Sequence, residues 1–161
     1  MNRIFSVLVE NRSGVLSKVA GLFSRRCFNI DSLAVGETDD NQVSLMTIVS
    51  SGTEGTLEQI EKQLNKKLDV IKIKTFEPTA AVSRELMLMK IKYNKGNRND
   101  IIDICRLMKA EIVDMSSNMM IIQLCDTPDR IKVMLTMMNQ ISIVEVARTG
   151  TLALSKCNEN E

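Results

Sequence analysis

The sequence predicts an α+β protein made of two successive ferredoxin-like units, each with the element order βαββαβ. Short aliphatic runs, typical of strands, alternate with segments whose apolar residues recur every three or four positions, as on one face of a helix. The order strand, helix, strand, strand, helix, strand occurs twice. A break in this pattern, containing one of the two prolines of the 161-residue chain, separates the two occurrences.

The first repeat begins with an aliphatic run at residues 4–9, followed by a polar loop at 10–14. The next segment has the apolar spacing of a helix, and this face is formed by Val15, Val19, Leu22 and Phe23. Two further strand-like runs, 30–35 and 43–49, flank a polar turn. We expect these two runs to pair as a hairpin.

The second helix of this repeat has clear start and stop signals. Thr53 is the expected N-cap, Glu54 lies in the first turn, and two lysines follow the last turn. Its apolar face consists of Leu57, Ile60 and Leu64. An alternating strand at 70–76 completes a first domain of residues 1–76, and residues 77–83 are expected to form a linker.

The second repeat follows the same order, in a domain expected at 84–161. A strand at 85–93 and a polar turn lead to a helix whose apolar face is Ile101, Ile104, Cys105 and Met108. A hairpin is predicted from 112–115 and 120–125. Thr127 and Pro128 mark the start of the last helix, whose apolar face is Ile131, Met134, Leu135 and Met138. A strand at 141–146 and a short tail from residue 150 end the chain.

Composition excludes several classes of function. Lysine and arginine total 21 against 20 acidic residues, so the net charge of +1 gives no basic surface for nucleic acid. Histidine is absent, which excludes Ser-His-Asp and Cys-His catalysis and histidine general bases. No phosphate loop, nucleotide fingerprint or paired-carboxylate motif appears either, and the spacing of the cysteines encodes no zinc site.

Cysteine usage and hydropathy predict a cytoplasmic protein. The four cysteines lie far apart without a C-x-x-C pair, and three lie in apolar runs, which favours buried free thiols in a reducing compartment. The N-terminal apolar stretch has only six residues, too few for a membrane span, so no membrane partner is expected. Apolar residues on both faces of this first strand predict a sheet covered by a second subunit.

The loop from Asn11 to Leu16 is the most informative candidate site. It joins a strand to a helix whose first backbone N–H groups lack internal partners and attract a carboxylate. Gly14 permits close approach of a ligand, and Asn11 can accept from an ammonium group or donate to a carboxylate. The loop therefore suits the zwitterionic end of an amino acid, and the alternative is an ordinary capped helix start.

Residues 29–32 are a second candidate, because they open an edge strand and can complete a site with a neighbouring chain. The alternative is a simple turn with Asn29 in a strained backbone conformation. An acylphosphatase-like enzyme would use the same fold with an arginine and an asparagine around a phosphate. However, residues 11–14 lack the glycine-rich cradle that this chemistry favours.

Four stretches of the chain carry a resemblance to a known family. They read RIFSVLVENRSGVLSKVAGLFSRRCFNIDSLAVGETDD, LEQIEKQLNKKLDVIKI, RELMLMKI and IVEVARTG. Together they lie in both repeats, and the chain resembles the small, regulatory subunits of acetolactate synthase (acetohydroxyacid synthase).

This resemblance implies an N-terminal ACT domain that forms a homodimer and binds valine, or the related leucine or isoleucine, between two ACT domains. It implies no active site, metal or cofactor on this chain. The partner would be a large catalytic subunit carrying thiamine diphosphate, Mg²⁺ and FAD, which condenses pyruvate with pyruvate or 2-oxobutanoate. The small subunit would activate this enzyme and confer feedback inhibition. The alternative is a stand-alone ACT sensor that acts on a different enzyme.

The family motif also implies which residues contact the effector. The matching positions in this chain are Asn11, Gly14, Val15, Leu16, Ser17, Asn29 and Ile30. One position departs from the family pattern, because Cys27 stands where glycine commonly precedes the aromatic residue. Glycine adopts a positive φ easily and cysteine does not, so this turn and the affinity for the effector are expected to be affected.

Overall fold

The computed structural model describes residues 1–157, which form nine strands and four helices. The strands are β1 (Asn2–Glu10), β2 (Ser32–Glu37), β3 (Val43–Ser51), β4 (Val70–Phe76), β5 (Ala81–Lys92), β6 (Glu111–Met115), β7 (Met119–Asp126), β8 (Ile143–Arg148) and β9 (Leu152–Ser155). The helices are α1 (Val15–Arg25), α2 (Glu54–Leu64), α3 (Arg98–Met108) and α4 (Pro128–Met137).

The chain divides into two compact units, and both have the predicted topology. Within the described residues, the first contains Met1–Ser83 with residues 151–157, and the second contains Arg84–Gly150. The antiparallel strand order is β2-β3-β1-β4 in the first and β6-β7-β5-β8 in the second. These orders correspond strand for strand, which confirms the two ferredoxin-like βαββαβ units and both predicted hairpins.

The core of the first unit lies between the two helices and one face of the sheet. The buried strand residues are Phe5, Val7, Val9, Met46 and Ile48. The apolar faces predicted for α1 and α2 are all buried in the same cluster. Periodicity therefore identified the helical half of this core correctly, because each helix is amphipathic and contacts the sheet on one side.

The second unit has a core rich in methionine. Six methionines are buried in it, namely Met87, Met89, Met108, Met120, Met134 and Met138. From the predicted helix faces, Ile104 and Leu135 are only half-buried, at the margin of the cluster. Unbranched methionine side chains fill irregular gaps, which suits a sheet covered by two short helices.

Two segments differ from the expectation. Residues Pro78–Ala80 form a 3-10 turn and β5 begins at Ala81, so 77–83 is largely structured rather than a linker. The expected tail contains β9, which pairs with β5, and residues 158–161 of that tail lie outside the described part of the chain. Ile4, on the sheet face opposite the helices, packs with Ala81 and Ala153 of this same chain. Part of the face expected to need a second subunit is thus covered internally.

The expectation of burial was wrong for two of the three cysteines in apolar runs, Cys27 and Cys125. Cys105 is buried, whereas Cys27, Cys125 and Cys157 are exposed. Cys125 is exposed because side chains alternate along β7 and its neighbour Leu124 takes the core position. None of the helices in residues 1–157 is long and apolar enough to cross a membrane.

Candidate functional site

The first helix begins at a glycine without a side-chain cap. Gly14 is the N-cap residue and has a φ of 86°. Because it lacks a side chain, it cannot cap the N–H groups of the first turn. By contrast, Thr53 and Thr127 cap α2 and α4 by accepting from the N–H groups of Thr56 and Arg130; α3, like α1, lacks such a cap. The N–H groups in the first turn of α1 are therefore free of a capping side chain, unlike in an ordinary capped start.

The space above Gly14 is open. A Cβ atom built on Gly14 would meet no atom within 4 Å. The residue therefore needs to be glycine for its left-handed backbone and not for lack of room. The Val15 N–H donates to the backbone oxygen of Arg12 at 3.3 Å, so the N–H groups of Leu16 and Ser17 are the ones that this helix start can offer an anion.

The side-chain amide of Asn11 is held in one orientation. Its Nδ2 donates to Glu37 Oε1 at 3.0 Å and to the backbone oxygen of Asn41 at 2.8 Å. Both partners are acceptors, so the nitrogen must face them and the Oδ1 atom is what Asn11 can offer a ligand. Of the two roles expected for Asn11, the geometry favours accepting from an ammonium group.

An ion cluster that the sequence analysis missed borders this loop. The Asp69 carboxylate accepts from Lys18 Nζ at 2.8 Å and is in contact with the Arg12 guanidinium, whose Nε lies 2.9 Å from Glu10 Oε2. Hydrogen bonds from Lys18 and Arg12 lower the pKa of Asp69. Asp69 follows Arg12 by 57 residues, and no local pattern could have linked them.

The remaining residues expected at the first half of the site differ in exposure. Val15 is 3% exposed and belongs to the core, so its side chain is unavailable to a ligand and only its backbone borders the loop. Leu16 is 44% exposed and Ser17 is exposed, both in the first turn of α1. Leu16 therefore provides the apolar surface next to the open N–H groups.

At the other end of α1, Cys27 has a φ of 54° in a Schellman-type turn. The N–H of Phe28 donates to the oxygen of Phe23 at 3.0 Å, and that of Cys27 to Ser24 at 3.2 Å. The positive φ therefore falls on Cys27, the position that departs from the family pattern, and not on Asn29, as the alternative of a simple turn would require. The turn keeps the form that glycine favours, at a cost in backbone strain.

The second half of the expected site follows this turn. Asn29 is exposed; its Nδ2 donates to Asp31 Oδ1 at 2.5 Å, and its backbone oxygen accepts from Ser50 Oγ at 2.6 Å. Ile30 is half-buried against the core. These contacts fix the start of β2, an edge strand of the sheet.

The structure does not bring the two halves together within one chain. They lie at opposite ends of the 11-residue helix α1, which is about 16 Å long at 1.5 Å per residue. Within residues 1–157, no group of three or more acidic or cysteine side chains is arranged to hold a metal ion.

Comparisons with known proteins agree with this arrangement of two units. A family model described as "AHAS small subunit-like ACT domain" matches residues 5–72, and one described as "Small subunit of acetolactate synthase" matches residues 84–157. The acetolactate synthase small subunit of Mycolicibacterium smegmatis is 44% identical over 151 residues, covering 94% of this chain and 89% of the relative.

Two further relatives extend over nearly the whole chain. The acetolactate synthase isozyme 3 small subunit of Salmonella typhimurium is 43% identical over 157 residues, which is 97% of this chain and 96% of the relative. The crystal structure of the acetolactate synthase small subunit from Thermotoga maritima superimposes with a TM-score of 0.91 at 33% identity, covering 98% of this chain and 99% of that one. With these identities and coverages, the chain belongs to the family of acetolactate synthase small subunits.

Proposed function

We propose that this chain is the regulatory subunit of an acetolactate synthase and that it binds a branched-chain amino acid, valine in the first instance, at the start of α1. The observation that carries this proposal is the open, uncapped helix start at Gly14 beside the fixed Oδ1 of Asn11. The catalytic large subunit would carry thiamine diphosphate, Mg²⁺ and FAD and perform the condensation.

A homodimer formed through the first unit would join the two halves of the site. β2 is an edge strand, and two copies pairing antiparallel would place the start of one β2 opposite the end of the other. The end of β2 carries Glu37, which is hydrogen-bonded to Asn11. Asn29 and Ile30 of the partner subunit would then approach the loop that carries Asn11 and Gly14.

Each part of the amino acid has a matching group in this arrangement. The carboxylate would accept from backbone N–H groups of the first turn of α1, at the positive end of the helix dipole. The ammonium would donate to Asn11 Oδ1. The aliphatic side chain would lie against Leu16 and Ile30 of the partner subunit, which suits valine, leucine or isoleucine.

Feedback inhibition requires the effector to distinguish between two states of the complex. Valine must bind the less active holoenzyme more tightly than the active one, because a ligand with equal affinity for both states leaves the equilibrium between them unchanged. A coupling free energy of about 1–3 kcal/mol corresponds to a shift in affinity of roughly 5- to 150-fold. A dimer site suits this role, because a bound ligand would contact both subunits and so respond to their relative arrangement.

Calorimetric titration of the full chain with valine, with leucine, isoleucine and alanine as comparators, tests effector binding. Saturable binding of valine in preference to alanine supports the proposal. Reconstitution with the acetolactate synthase large subunit then tests regulation, since the small subunit should raise the activity and make it sensitive to valine. Binding of valine without any effect on that enzyme would favour the stand-alone sensor.

A further inference from the structure

The Asp69 carboxylate lies between two cations from either side of the effector loop. Arg12 precedes Gly14 by two residues and Lys18 follows it by four, and both side chains contact Asp69. Asp69 is only 5% exposed, whereas the side chains of Arg12 and Lys18 are each 57% exposed. One nearly buried anion thus engages two exposed cations.

The backbone of Asp69 holds the same loop. Its backbone oxygen accepts from the N–H of Glu10 at 3.0 Å. Two residues further on, the N–H of Arg12 donates to the backbone oxygen of Glu10 at 3.1 Å. The loop is therefore attached to the segment before β4 by both backbone and side-chain contacts. Removing the carboxylate would release the side-chain contacts and leave the backbone contact in place.

The charge of Asp69 has a second consequence for the start of α1. With Asp69 ionised, it offsets the charges of Arg12 and Lys18, leaving the backbone N–H groups as the anion-binding groups near Gly14. Without Asp69, Lys18 would be free to pair with a ligand carboxylate, while Arg12 would keep Glu10 as a partner. A free cation such as the Lys18 ammonium favours any anion and disfavours a ligand that also carries an ammonium group.

We infer that Asp69 is a positioning residue for the effector loop, and that by engaging Arg12 and Lys18 it makes the site prefer a zwitterionic amino acid over a simple carboxylate anion. The second part rests on the proposed function. The first part concerns the loop itself and holds with or without a ligand.

The test compares wild type with Asp69→Asn, and with Glu58→Gln as a matched control. Glu58→Gln also removes one negative charge and one ion pair of the first unit, the exposed pair with Lys62 on α2. Full-length proteins are titrated with valine and with 3-methyl-2-oxobutanoate, which has the same carbon skeleton without the ammonium group. Amide hydrogen exchange of Arg12 and Val15 is measured without ligand.

In Asp69→Asn the ratio of valine affinity to oxo-acid affinity should fall by about tenfold, because the Lys18 ammonium becomes available to the anion. Exchange of the Arg12 and Val15 amides should accelerate by about tenfold as the loop opens more often. Glu58→Gln should match wild type in both measurements, and Asp69→Glu should recover part of the selectivity.

Equal weakening of both ligands in Asp69→Asn would overturn the selectivity role, since a merely structural loss affects both alike. Unchanged amide exchange would overturn the positioning role. If wild type bound no valine, the proposed function would fail, and the exchange measurement would still decide whether Asp69 holds the loop.

Discussion

The ring of Phe28 packs edge-on against that of Phe23, with the ring centroids 6.3 Å apart and an interplanar angle of 82°. These residues occupy the two positions that make the hydrophobic contact in a Schellman turn, and their backbones share the longer hydrogen bond of that turn. The contact fixes the direction in which the chain leaves α1. It therefore determines where Asn29 and the edge strand β2 begin.

Replacing Cys27 with glycine should stabilise the protein. Cys27 has a φ of 54°, and a left-handed conformation costs a residue with a Cβ atom about 1 kcal/mol relative to glycine. Urea unfolding should show a gain of about this size. Arg26→Gly is the control, because Arg26 has a φ of −105° and glycine there should give no gain. Equal effects at both positions would contradict the explanation.

Gly14→Asp should yield a subunit that still activates the large subunit but resists inhibition by valine. The new carboxylate would lie at the open helix start and repel the carboxylate of the effector. Gly14→Asn has nearly the same shape and tolerates the left-handed backbone equally well, so it should be less resistant. Inhibition assays of the reconstituted enzyme compare the two. Full valine sensitivity of Gly14→Asp would exclude this site.

The Glu85–Arg148 pair should matter for the stability of the second unit. Glu85 is 3% exposed and accepts from Arg148 Nε at 2.6 Å and Nη2 at 2.8 Å. Arg148→Met leaves the Glu85 carboxylate buried without this partner and should lower the free energy of unfolding by about 2–3 kcal/mol. This loss is smaller than that for a fully buried pair, because the Arg148 side chain reaches water. Lys90→Met removes an exposed pair at 3.9 Å and should cost under about 0.5 kcal/mol by urea unfolding. Equal losses of unfolding free energy in the two variants would refute the difference expected between a buried and an exposed ion pair.

The stability contributed by Asp69 should disappear in acid. Hydrogen bonds from Lys18 and Arg12 lower its pKa below the ordinary 3.8, so its ionised form stabilises the fold above that value. The advantage of wild type over Asp69→Asn should be constant near neutral pH. It should shrink below about pH 4, where Asp69 takes up a proton in the unfolded state first, and be lost once the pH falls through the lowered pKa of the folded state. Urea unfolding from pH 7 to pH 2 measures it, and a pH-independent difference would be inconsistent with the ion cluster.

Much of the fold could be predicted because it depends on local periodicity. The buried faces of α1 and α2 follow from the spacing of residues such as Val15, Val19, Leu57 and Ile60. Strand β9 was not predicted, because four residues are too few to show the apolar alternation of a strand. Its place next to β5 depends on tertiary pairing.

The candidate site was predictable only in part, for a related reason. The glycine at the start of α1 is a local signal, and its positive φ agrees with its residue type. The bonds from Asn11 to Glu37 and from Arg12 to Asp69 join residues 26 and 57 positions apart. Such contacts depend on how the strands are ordered in the sheet, so they become visible only in three dimensions.

A mixed dimer tests the central claim, a valine site shared between two chains, most directly. One chain carries Gly14→Asp and the other Asn29→Asp, and the mixed species is purified with two different tags and titrated with valine. If each site combines Gly14 of one chain with Asn29 of the other, a carboxylate introduced at either position would repel the carboxylate of valine, and both variant homodimers should bind no valine. The mixed dimer should then bind one valine per dimer, at the site that has both wild-type residues. If each site lay within one chain, the mixed dimer would bind none, and that result would contradict the account.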